Sequence, residues 1–192
     1  MKKKLLITGV SGFLGGSFKD FLYQKKSFEV FGVDLKCDFS DKWNICCDLC
    51  NEKEVTELLM DIRPDTIFHF AGGRAQSEDV FLKSNFLTTK TILNAILGIA
   101  NYSPRVIIPG SSAEYGAMSQ IKGKIDEKVV SNPNSWYGFV KLMQTNVALF
   151  YANQGMDVVI GRIFNILGKG VPSDLCAGRF AEQIVLIEKG ES

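Results

Sequence analysis

Residues 4–15 read KLLITGVSGFLG, a short apolar run followed by three glycines at G-x-x-G-x-x-G spacing. A run of this length that ends at glycines is typical of a strand buried on both faces of a sheet. Gly9 permits a tight turn, Gly12 lets the backbone approach a ligand phosphate, and Gly15 allows a helix to pack close to the strand. The stretch therefore predicts a strand, a phosphate-binding turn and a helix in immediate succession.

The helix that begins at this turn predicts a binding site for the pyrophosphate of a dinucleotide. Free N–H groups and a partial positive charge at a helix N-terminus attract such an anion. A second predicted strand ends in Asp34, whose carboxylate can accept hydrogen bonds from the hydroxyls of an adenosine ribose. The alternative is that the glycines only punctuate a turn and that Asp34 is a solvated loop charge. The predicted cofactor-binding residues of this unit are Gly9, Ser11, Gly12, Phe13, Leu14, Gly15 and Asp34.

Strands and helices alternate along the rest of the chain. The predicted strands span residues 4–8, 29–34, 44–47, 66–71, 105–109 and 157–164, and the predicted helices span 13–26, 51–62, 80–100, 136–154 and 178–189. Repeated β-α units of this length predict a parallel sheet covered by helices on both faces. We expect residues 1–192 to form one Rossmann-like, doubly wound α/β domain.

The composition indicates no affinity for nucleic acid or for a membrane. The 192 residues carry a net charge of +1, with no long block of one sign, so no electrostatic partner is implied. The longest apolar stretches fall short of the ~20 residues that a membrane-spanning helix needs. Lysines before Leu5 resemble the start of a signal peptide, but the glycines from Gly9 to Gly16 interrupt the apolar region it would require. We therefore expect a cytoplasmic protein.

Two other chemistries are disfavoured by the residues that the chain lacks. Cys47 and Cys50 have zinc-like spacing, but no second such pair exists, so no metal site is expected. His69 is the only histidine, and no Gly-x-Ser-x-Gly elbow is present, which argues against Ser-His-Asp hydrolysis.

Tyr137 and Lys141 lie four residues apart in a predicted helix. This spacing is one turn, so the phenol and the ammonium project from the same face. A fixed positive charge stabilises a phenolate and lowers the pKa of a tyrosine, which otherwise lies near ~10. The pair can therefore act as a general acid/base unit. The alternative is an aromatic residue and a lysine on an ordinary amphipathic helix.

The order of further motifs favours the catalytic interpretation. They are Asp48-Leu49 after the third predicted strand, His69-Phe70-Ala71-Gly72 at the end of the fourth, Asn85 in the long helix, residues 106–116 (VIIPGSSAEYG) and residues 162–168 (RIFNILG). With the glycine turn and the Tyr137/Lys141 pair, these motifs resemble those of the extended short-chain dehydrogenase/reductase family. The resemblance covers the whole chain and lies with the nucleotide-sugar epimerases, dehydratases and 4-keto-sugar reductases. Gly72 departs from the family motif, which has a second alanine there.

The resemblance implies a role for each matching residue. Ser111 falls on the catalytic Ser/Thr, with Ser112 as the nearest competitor, and Tyr137 and Lys141 fall on the catalytic Tyr-x-x-x-Lys pair. The further cofactor contacts that it implies are Asp48, Leu49, Ala71, Gly72, Asn85, Tyr137 and Lys141. The implied substrate residues are Ser112, Glu114 and Asn165, although Glu114 can instead be a local hydrogen-bond partner.

The chemistry that the resemblance implies is hydride transfer between a nicotinamide cofactor and a carbon of a nucleotide-linked sugar. NAD is the expected cofactor and NADP the alternative, because Asp34 would face a 2′-phosphate with like charge. A 4-keto-sugar reductase is the favoured activity. An epimerase or dehydratase, and a non-catalytic dinucleotide-binding domain, are the alternatives.

Two features of assembly are also expected. Family members run to roughly 300 residues with a smaller C-terminal lobe for the nucleotide-sugar, so this chain is expected to lack most of that lobe. The two long helices carry apolar residues on more than one face, namely Phe86, Leu93, Leu97, Met143, Val147 and Phe150. Family members pair these helices across a two-fold axis, so a homodimer is expected.

Overall fold

The computed structural model describes residues 2–36, 44–73, 77–117 and 123–191. Its strands are β1 (Lys3–Thr8), β2 (Phe28–Asp34), β3 (Asn44–Cys46), β4 (Thr66–His69), β5 (Arg105–Ser111) and β6 (Val158–Ile163). Its helices are α1 (Phe13–Lys25), α2 (Glu52–Ile62), α3 (Glu78–Leu82), α4 (Thr88–Gly98), α5 (Trp136–Ala152) and α6 (Cys176–Glu188). A π-helical stretch (Lys83–Leu87) joins α3 to α4, and a short 3-10 helix (Ser112–Tyr115) follows β5.

The six strands form one parallel sheet in the order β3-β2-β1-β4-β5-β6. This arrangement confirms the predicted Rossmann-like α/β fold. The strand order reverses between β1 and β4, and sheets of this kind bind ligands outside the carboxyl ends of the strands at such a point. The sheet therefore places the loops after β1 and β4 at the preferred ligand position.

The core covers both faces of the sheet. Leu6 of β1 lies in a buried cluster with Leu59 of α2 and Leu93 of α4. Its neighbours Leu5 and Ile7 lie in a second buried cluster, which includes side chains of α1. Successive residues of a strand point to opposite faces, so an uninterrupted apolar strand is buried on both sides. This is why β1 reads as a continuous apolar run.

Two predicted strand ends differ from the structure by two residues, whereas the other strand boundaries agree to within one residue. β4 ends at His69 rather than at Ala71, because the Ala71 N–H donates to the Thr8 hydroxyl at 3.0 Å. β5 continues to Ser111 rather than stopping at Pro109, with Ser111 in register with Ile163 of β6. Side-chain and long-range partners decide where these strands end.

The predicted helix over residues 80–100 also differs in detail. It begins at Glu78, where the Ser77 hydroxyl accepts a hydrogen bond from the Val80 N–H. The π-helical stretch then interrupts its regular hydrogen bonding around Asn85. Single π-helical turns inside α-helices often occur near functional sites. Within the described ranges, no helix is long and apolar enough to cross a membrane.

Candidate functional site

The glycine turn between β1 and α1 depends on the absence of side chains. Gly9 has a φ of +71°, and a Cβ there would lie 2.7 Å from the Ala71 nitrogen. A Cβ on Gly15 would overlap the Gly9 carbonyl oxygen. The Gly12 N–H donates to that same oxygen at 3.0 Å. The three glycines therefore allow the turn, the helix and the loop after β4 to pack at backbone contact.

The N-terminus of α1 keeps its N–H groups available. Gly12 is its N-cap, and no side chain among the described residues caps it; its first turn also carries no acidic residue. In contrast, Asn51, Ser77 and Ser135 cap the N-termini of α2, α3 and α5 with their side chains. Uncapped N–H groups and the helix dipole favour a bound anion. The turn therefore fits the pyrophosphate of a dinucleotide.

Asp34 is held in place at the end of β2. Its carboxylate accepts hydrogen bonds from the Ser11 N–H at 3.0 Å and from the Leu35 N–H at 2.7 Å. The first bond ties the end of β2 to the glycine turn. The carboxylate is thus fixed beside the predicted pyrophosphate position, where an adenosine ribose would extend from it.

The Asp48-Leu49 pair is divided between the surface and the core. Asp48 is exposed, and its carboxylate accepts a hydrogen bond from the Cys50 N–H at 2.9 Å. Leu49 is a member of the core cluster that also contains Leu6. The geometry leaves the Asp48 carboxylate accessible to a ligand, whereas most of the Leu49 side chain packs inward.

The Asn85 side chain contacts the backbone of the loop after β4. Its side-chain amide donates to the Gly73 carbonyl at 3.2 Å and to the Phe81 carbonyl at 2.9 Å. A Cβ on Gly72 would lie 2.7 Å from the Asn85 carboxamide oxygen. Asn85 is buried, so its contacts support the loop that carries Ala71 and Gly72. The glycine that departs from the family motif is the residue that this close approach requires.

Ser111 ends β5 and caps the 3-10 helix that follows. Its hydroxyl oxygen accepts a hydrogen bond from the Ala113 N–H at 3.2 Å. This bond uses a lone pair, so the O–H can still donate to a substrate oxygen. Ser111 is buried at the end of the strand, and Ser112 is half-buried on the turn.

Glu114 occupies the structural role that the sequence left open. It is 0% exposed, and its carboxylate accepts from the Ser111 N–H at 2.7 Å, from the Thr145 hydroxyl at 3.0 Å and from Arg162 Nε at 2.8 Å. A fully buried carboxylate with three donors is satisfied within the protein. The structure therefore shows Glu114 as a local hydrogen-bond partner of Ser111, Thr145 and Arg162.

Gly138 brings the start of α5 against this turn. A Cβ at Gly138 would overlap the carbonyl oxygen of Ala113. The preceding residue, Tyr137, is 37% exposed and its ring stacks on Phe81 at a centroid distance of 5.5 Å. The close packing places the Tyr137 backbone beside the turn that begins at Ser111. Sequence reasoning missed Gly138, although a glycine inside a helix is a signal of close approach.

Lys141 is buried one turn further along α5. Its ammonium donates to the Pro109 carbonyl oxygen at 2.8 Å and to the carboxamide oxygen of Gln144. Burial lowers the pKa of Lys141 to about 8, and the nearby Glu114 carboxylate partly opposes that shift. The group is therefore mainly charged at neutral pH. Two of its three donors are used by these contacts, which leaves one to reach a ligand.

The remaining predicted residue, Asn165, follows β6 and is exposed. The residues described by the structure contain no group of three or more His, Cys, Asp or Glu side chains that could hold a metal ion. Sequence reasoning also missed the buried hydrogen bonds that Thr8, Thr89 and Gln144 form. Their signal is weak because each is a common polar residue within an apolar segment.

Comparison with known proteins identifies the class to which this site belongs. Residues 5–191 match the NAD dependent epimerase/dehydratase family. A GDP-6-deoxy-D-talose 4-dehydrogenase from Aggregatibacter actinomycetemcomitans is 29% identical over 171 residues, covering 87% of this chain and 54% of that protein. The chain therefore belongs to the NAD dependent epimerase/dehydratase family, as the sequence motifs predicted.

Two solved structures share the fold. The UDP-glucuronic acid 4-epimerase from Bacillus cereus in complex with NAD has a TM-score of 0.79 and 24% identity, covering 95% of this chain and 63% of that chain. RMD from Pseudomonas aeruginosa complexed with NADPH has a TM-score of 0.81 and 23% identity, covering 100% of this chain and 62% of that chain. The family is NAD-dependent, which confirms the expected class of cofactor. The chain spans a little over half the length of the relatives that it matches.

Proposed function

We propose that this chain is the NAD(H)-binding domain of an oxidoreductase that acts on a nucleotide-linked sugar, of the 4-keto-sugar reductase type. The observation that carries the proposal is the uncapped N-terminus of α1 beside the fixed Asp34 carboxylate, at the sheet edge where Ser111 also ends its strand. This arrangement suits a pyrophosphate and its ribose. The family match over residues 5–191 supports it.

Three residues of the chain have separate roles in the proposed reaction. A nicotinamide cofactor held at this site would supply the hydride exchange with a sugar carbon. Tyr137 donates or removes the proton on the attached oxygen, and Ser111 donates a hydrogen bond to that oxygen. Lys141 holds the nicotinamide ribose.

Burial of Glu114 bears on the choice between activities. A dehydratase needs further acid/base groups beside those that accompany hydride transfer, and Glu114 was the nearest candidate in the sequence. Its carboxylate is satisfied inside the protein, which favours a reductase or an epimerase. Two relatives are named as a GDP-6-deoxy-D-talose 4-dehydrogenase and a GDP-6-deoxy-D-mannose reductase, which supports the reductase. Ser112 and Asn165 are then proposed to contact the sugar.

A non-catalytic dinucleotide-binding domain is the alternative for the chain by itself. A substrate needs a second wall that excludes water and holds its carbon at hydride-transfer distance, because positioning supplies several kcal/mol of a barrier, roughly 7–11 at best. We expect this chain to bind NAD(H), whereas turnover would in addition require such a wall.

We propose that the chain also forms a homodimer through α4 and α5. Leu97 on α4 is 51% exposed and Phe150 on α5 is 61% exposed. Phe139 and Leu149 add further exposed apolar surface on α5. Leu93, in contrast, is buried in the core, so it does not belong to this surface. An exposed apolar surface shared by two adjacent helices favours an isologous contact.

Calorimetry with NADH and an absorbance assay of the reduced nicotinamide against nucleotide 4-keto-sugars test the catalytic proposal. We expect NADH binding by the parent and also by Tyr137→Phe, because the aromatic ring and the other predicted cofactor contacts remain in that variant. Any turnover by the parent should fall by about 10²–10⁴-fold in Tyr137→Phe, the usual contribution of a general acid/base. Absence of NADH binding by the parent would contradict the proposal. Undiminished turnover in Tyr137→Phe would contradict the catalytic role of Tyr137.

A further inference from the structure

A chain of buried polar side chains crosses the protein from β1 to Lys141. The members are Thr8, His69, Thr89, Gln144 and Lys141, and all five are buried. They come from β1, β4, α4 and α5. Thr8 lies directly before the glycine turn, and Lys141 lies at the other end of the chain of contacts. The network therefore joins the two parts of the site that the sequence treats as separate motifs.

One set of hydrogen-bond directions satisfies the half of the network nearest to Lys141. The Lys141 ammonium can only donate, so the Gln144 carboxamide oxygen accepts from it. The Gln144 amide nitrogen then donates to the Thr89 hydroxyl oxygen at 2.7 Å. The Thr89 hydroxyl donates in turn to the Asn85 carbonyl oxygen at 2.6 Å. Both ends of the Gln144 carboxamide are thus committed, which leaves it one orientation.

The other half of the network follows from the same directions. Thr89 has its oxygen lone pairs left to accept, so His69 Nε2 carries the hydrogen and donates to it at 2.9 Å. His69 Nδ1 then accepts from the Thr8 hydroxyl at 2.9 Å. The Thr8 oxygen also accepts from the Ala71 N–H at 3.0 Å. A neutral imidazole fits every partner, and burial together with the Lys141 charge lowers the pKa of His69 to about 3.

We propose that Gln144 and Thr89 are positioning residues for Lys141: Thr89 fixes the carboxamide of Gln144, and that carboxamide holds the ammonium against the Pro109 carbonyl oxygen. The role of Lys141 toward a cofactor rests on the proposed function, whereas the fixation of its ammonium stands on the contacts alone. A buried network in which every member is satisfied specifies one geometry. Lys141 can then present its remaining donor in a constant direction.

Charged and titratable groups around Lys141 limit the possible causes of a change in its titration. They are His69 from β4, Glu114 from the turn after β5 with its partner Arg162 of β6, and Tyr137 on α5. The helical elements α3, the π-helical stretch and α4 also pack beside α5. Their charged side chains are exposed, namely Glu78, Asp79, Lys83 and Lys90. Changes at Thr89 or Gln144 leave all of these residues in place.

The direct test measures the pH at the titration midpoint of Lys141 in the full 192-residue chain. The titration is monitored by NMR of lysine labelled with ¹³C at Cε. The Lys141 signal is assigned by its loss in Lys141→Arg. We expect Gln144→Leu to lower the midpoint by about one unit, because a hydrogen bond to the charged form is lost in a buried site. Gln144→Glu should raise it, because a carboxylate then faces the ammonium. An unchanged midpoint in either folded variant would overturn the proposal.

A matched pair at Thr89 tests the positioning role without touching Lys141. Thr89→Val removes the hydroxyl that orients Gln144 and should lower the Lys141 midpoint. Thr89→Ser keeps the hydroxyl and should retain the parental midpoint. Thr91→Val, at a buried threonine on the same helix, controls for the cost of a buried substitution and should leave the midpoint unchanged. A purely structural role for Thr89 predicts loss of stability with the parental midpoint, which would count against the proposal.

NADH affinity measured against pH then connects the network to the proposed function. In Gln144→Leu, the pH at which NADH affinity begins to fall should move down together with the Lys141 midpoint. With a midpoint lowered by about one unit from about 8, NADH binding should weaken about fivefold near pH 8 and less than about twofold near pH 7. An affinity profile that stays parental while the midpoint moves would separate Lys141 from the cofactor. If the parent does not bind NADH, the proposed function fails, and the lysine titration still decides the role of Gln144.

Discussion

The Asp34 carboxylate illustrates how one side chain can select a cofactor through its fixed charge. Two backbone N–H groups hold it at the end of β2 beside the glycine turn. A ribose with free hydroxyls can donate to it, whereas a 2′-phosphate would bring like charges together and lose those hydrogen bonds. The exposed Lys36 lies two residues further along and offers only a solvated opposite charge.

We predict that the chain binds NADH at least about tenfold more tightly than NADPH, since one lost charge-assisted contact is worth roughly 1.5–3 kcal/mol. Asp34→Ser should reduce this affinity ratio, because NADH binding becomes weaker and NADPH binding becomes tighter. Lys36→Ser is the matched control and should change the ratio little. Fluorescence titration of both reduced cofactors measures the ratio, and equal dissociation constants in the parent would contradict the prediction.

His69 gives the chain a pH dependence of stability that one substitution can isolate. Burial, followed by the charge of Lys141, lowers its pKa from 6.5 to about 3. The unfolded chain therefore binds one more proton than the folded chain between these values. The stability that depends on neutral His69 is present above about pH 6.5 and is lost as the pH falls toward 3.

We predict that His69→Gln has a shallower dependence of unfolding free energy on pH than the parent. The slopes should differ by as much as about 1.4 kcal/mol per pH unit, the value for one proton, over the region near pH 5. Urea unfolding of both proteins at several pH values provides the measurement. His69 is the only histidine, so parallel slopes in the two proteins would contradict a buried neutral imidazole.

At the scale of elements, the Glu114–Arg162 pair joins the turn after β5 to β6. Glu114 is fully buried, and the Arg162 guanidinium also donates to the Tyr115 hydroxyl at 3.2 Å and to the Ser131 hydroxyl at 3.1 Å. These contacts hold the 3-10 turn, the neighbouring strand and residue 131 together. The turn carries Ser111 at its start, so the ion pair supports the position of the predicted catalytic serine.

We predict that Glu114→Ala lowers the free energy of unfolding by about 3–5 kcal/mol, because it leaves a partly buried guanidinium without its carboxylate. The surface pair of Arg105 and Asp157 is the control, with side chains 57% and 46% exposed. Asp157→Ala should cost no more than about 1 kcal/mol. Denaturant unfolding measures the free energy of unfolding of the two variants. Similar losses in both would contradict the prediction that the buried pair stabilises the protein more than the surface pair.

At the scale of the whole molecule, the apolar residues of α4 and α5 divide between the core and the surface. Leu93 and Ala148 lie in the core, while Leu97 and Phe150 remain exposed on the same helices. A helix that is apolar around most of its circumference buries more than one face. The exposed faces of α4 and α5 are where we expect the second copy to bind.

We predict a dimer at tens of micromolar, roughly the range in which a modest apolar contact associates, and a monomer for Phe150→Lys. A lysine there would bring like charges close together across a two-fold contact. Phe180→Lys on α6 is the control, since Phe180 is also exposed but lies on a different helix. Light scattering of the three proteins measures the mass; a monomeric parent, or loss of the dimer in Phe180→Lys alone, would contradict this surface.

Local spacing explains how much of the protein could be read from its sequence. The apolar run before Gly9 and the repeated β-α pattern led to the parallel sheet, because the burial of a strand and the period of a helix depend on neighbouring residues. The uncapped turn and the placement of Tyr137 and Lys141 on one helix followed in the same way. These features depend on contacts within a few residues, so the sequence by itself determined them.

Only the tertiary structure decided which polar groups are buried and with whom. Thr8 and His69 lie 61 residues apart, and Thr89 and Gln144 lie 55 apart, so no local pattern records their contacts. The same holds for Glu114 in the 3-10 helix, whose partner Arg162 lies 48 residues away on β6. The sequence does not distinguish a solvated carboxylate, amide or ammonium from a buried one. Its role here was set by the packing of distant elements, which removes water and leaves one set of hydrogen-bond partners.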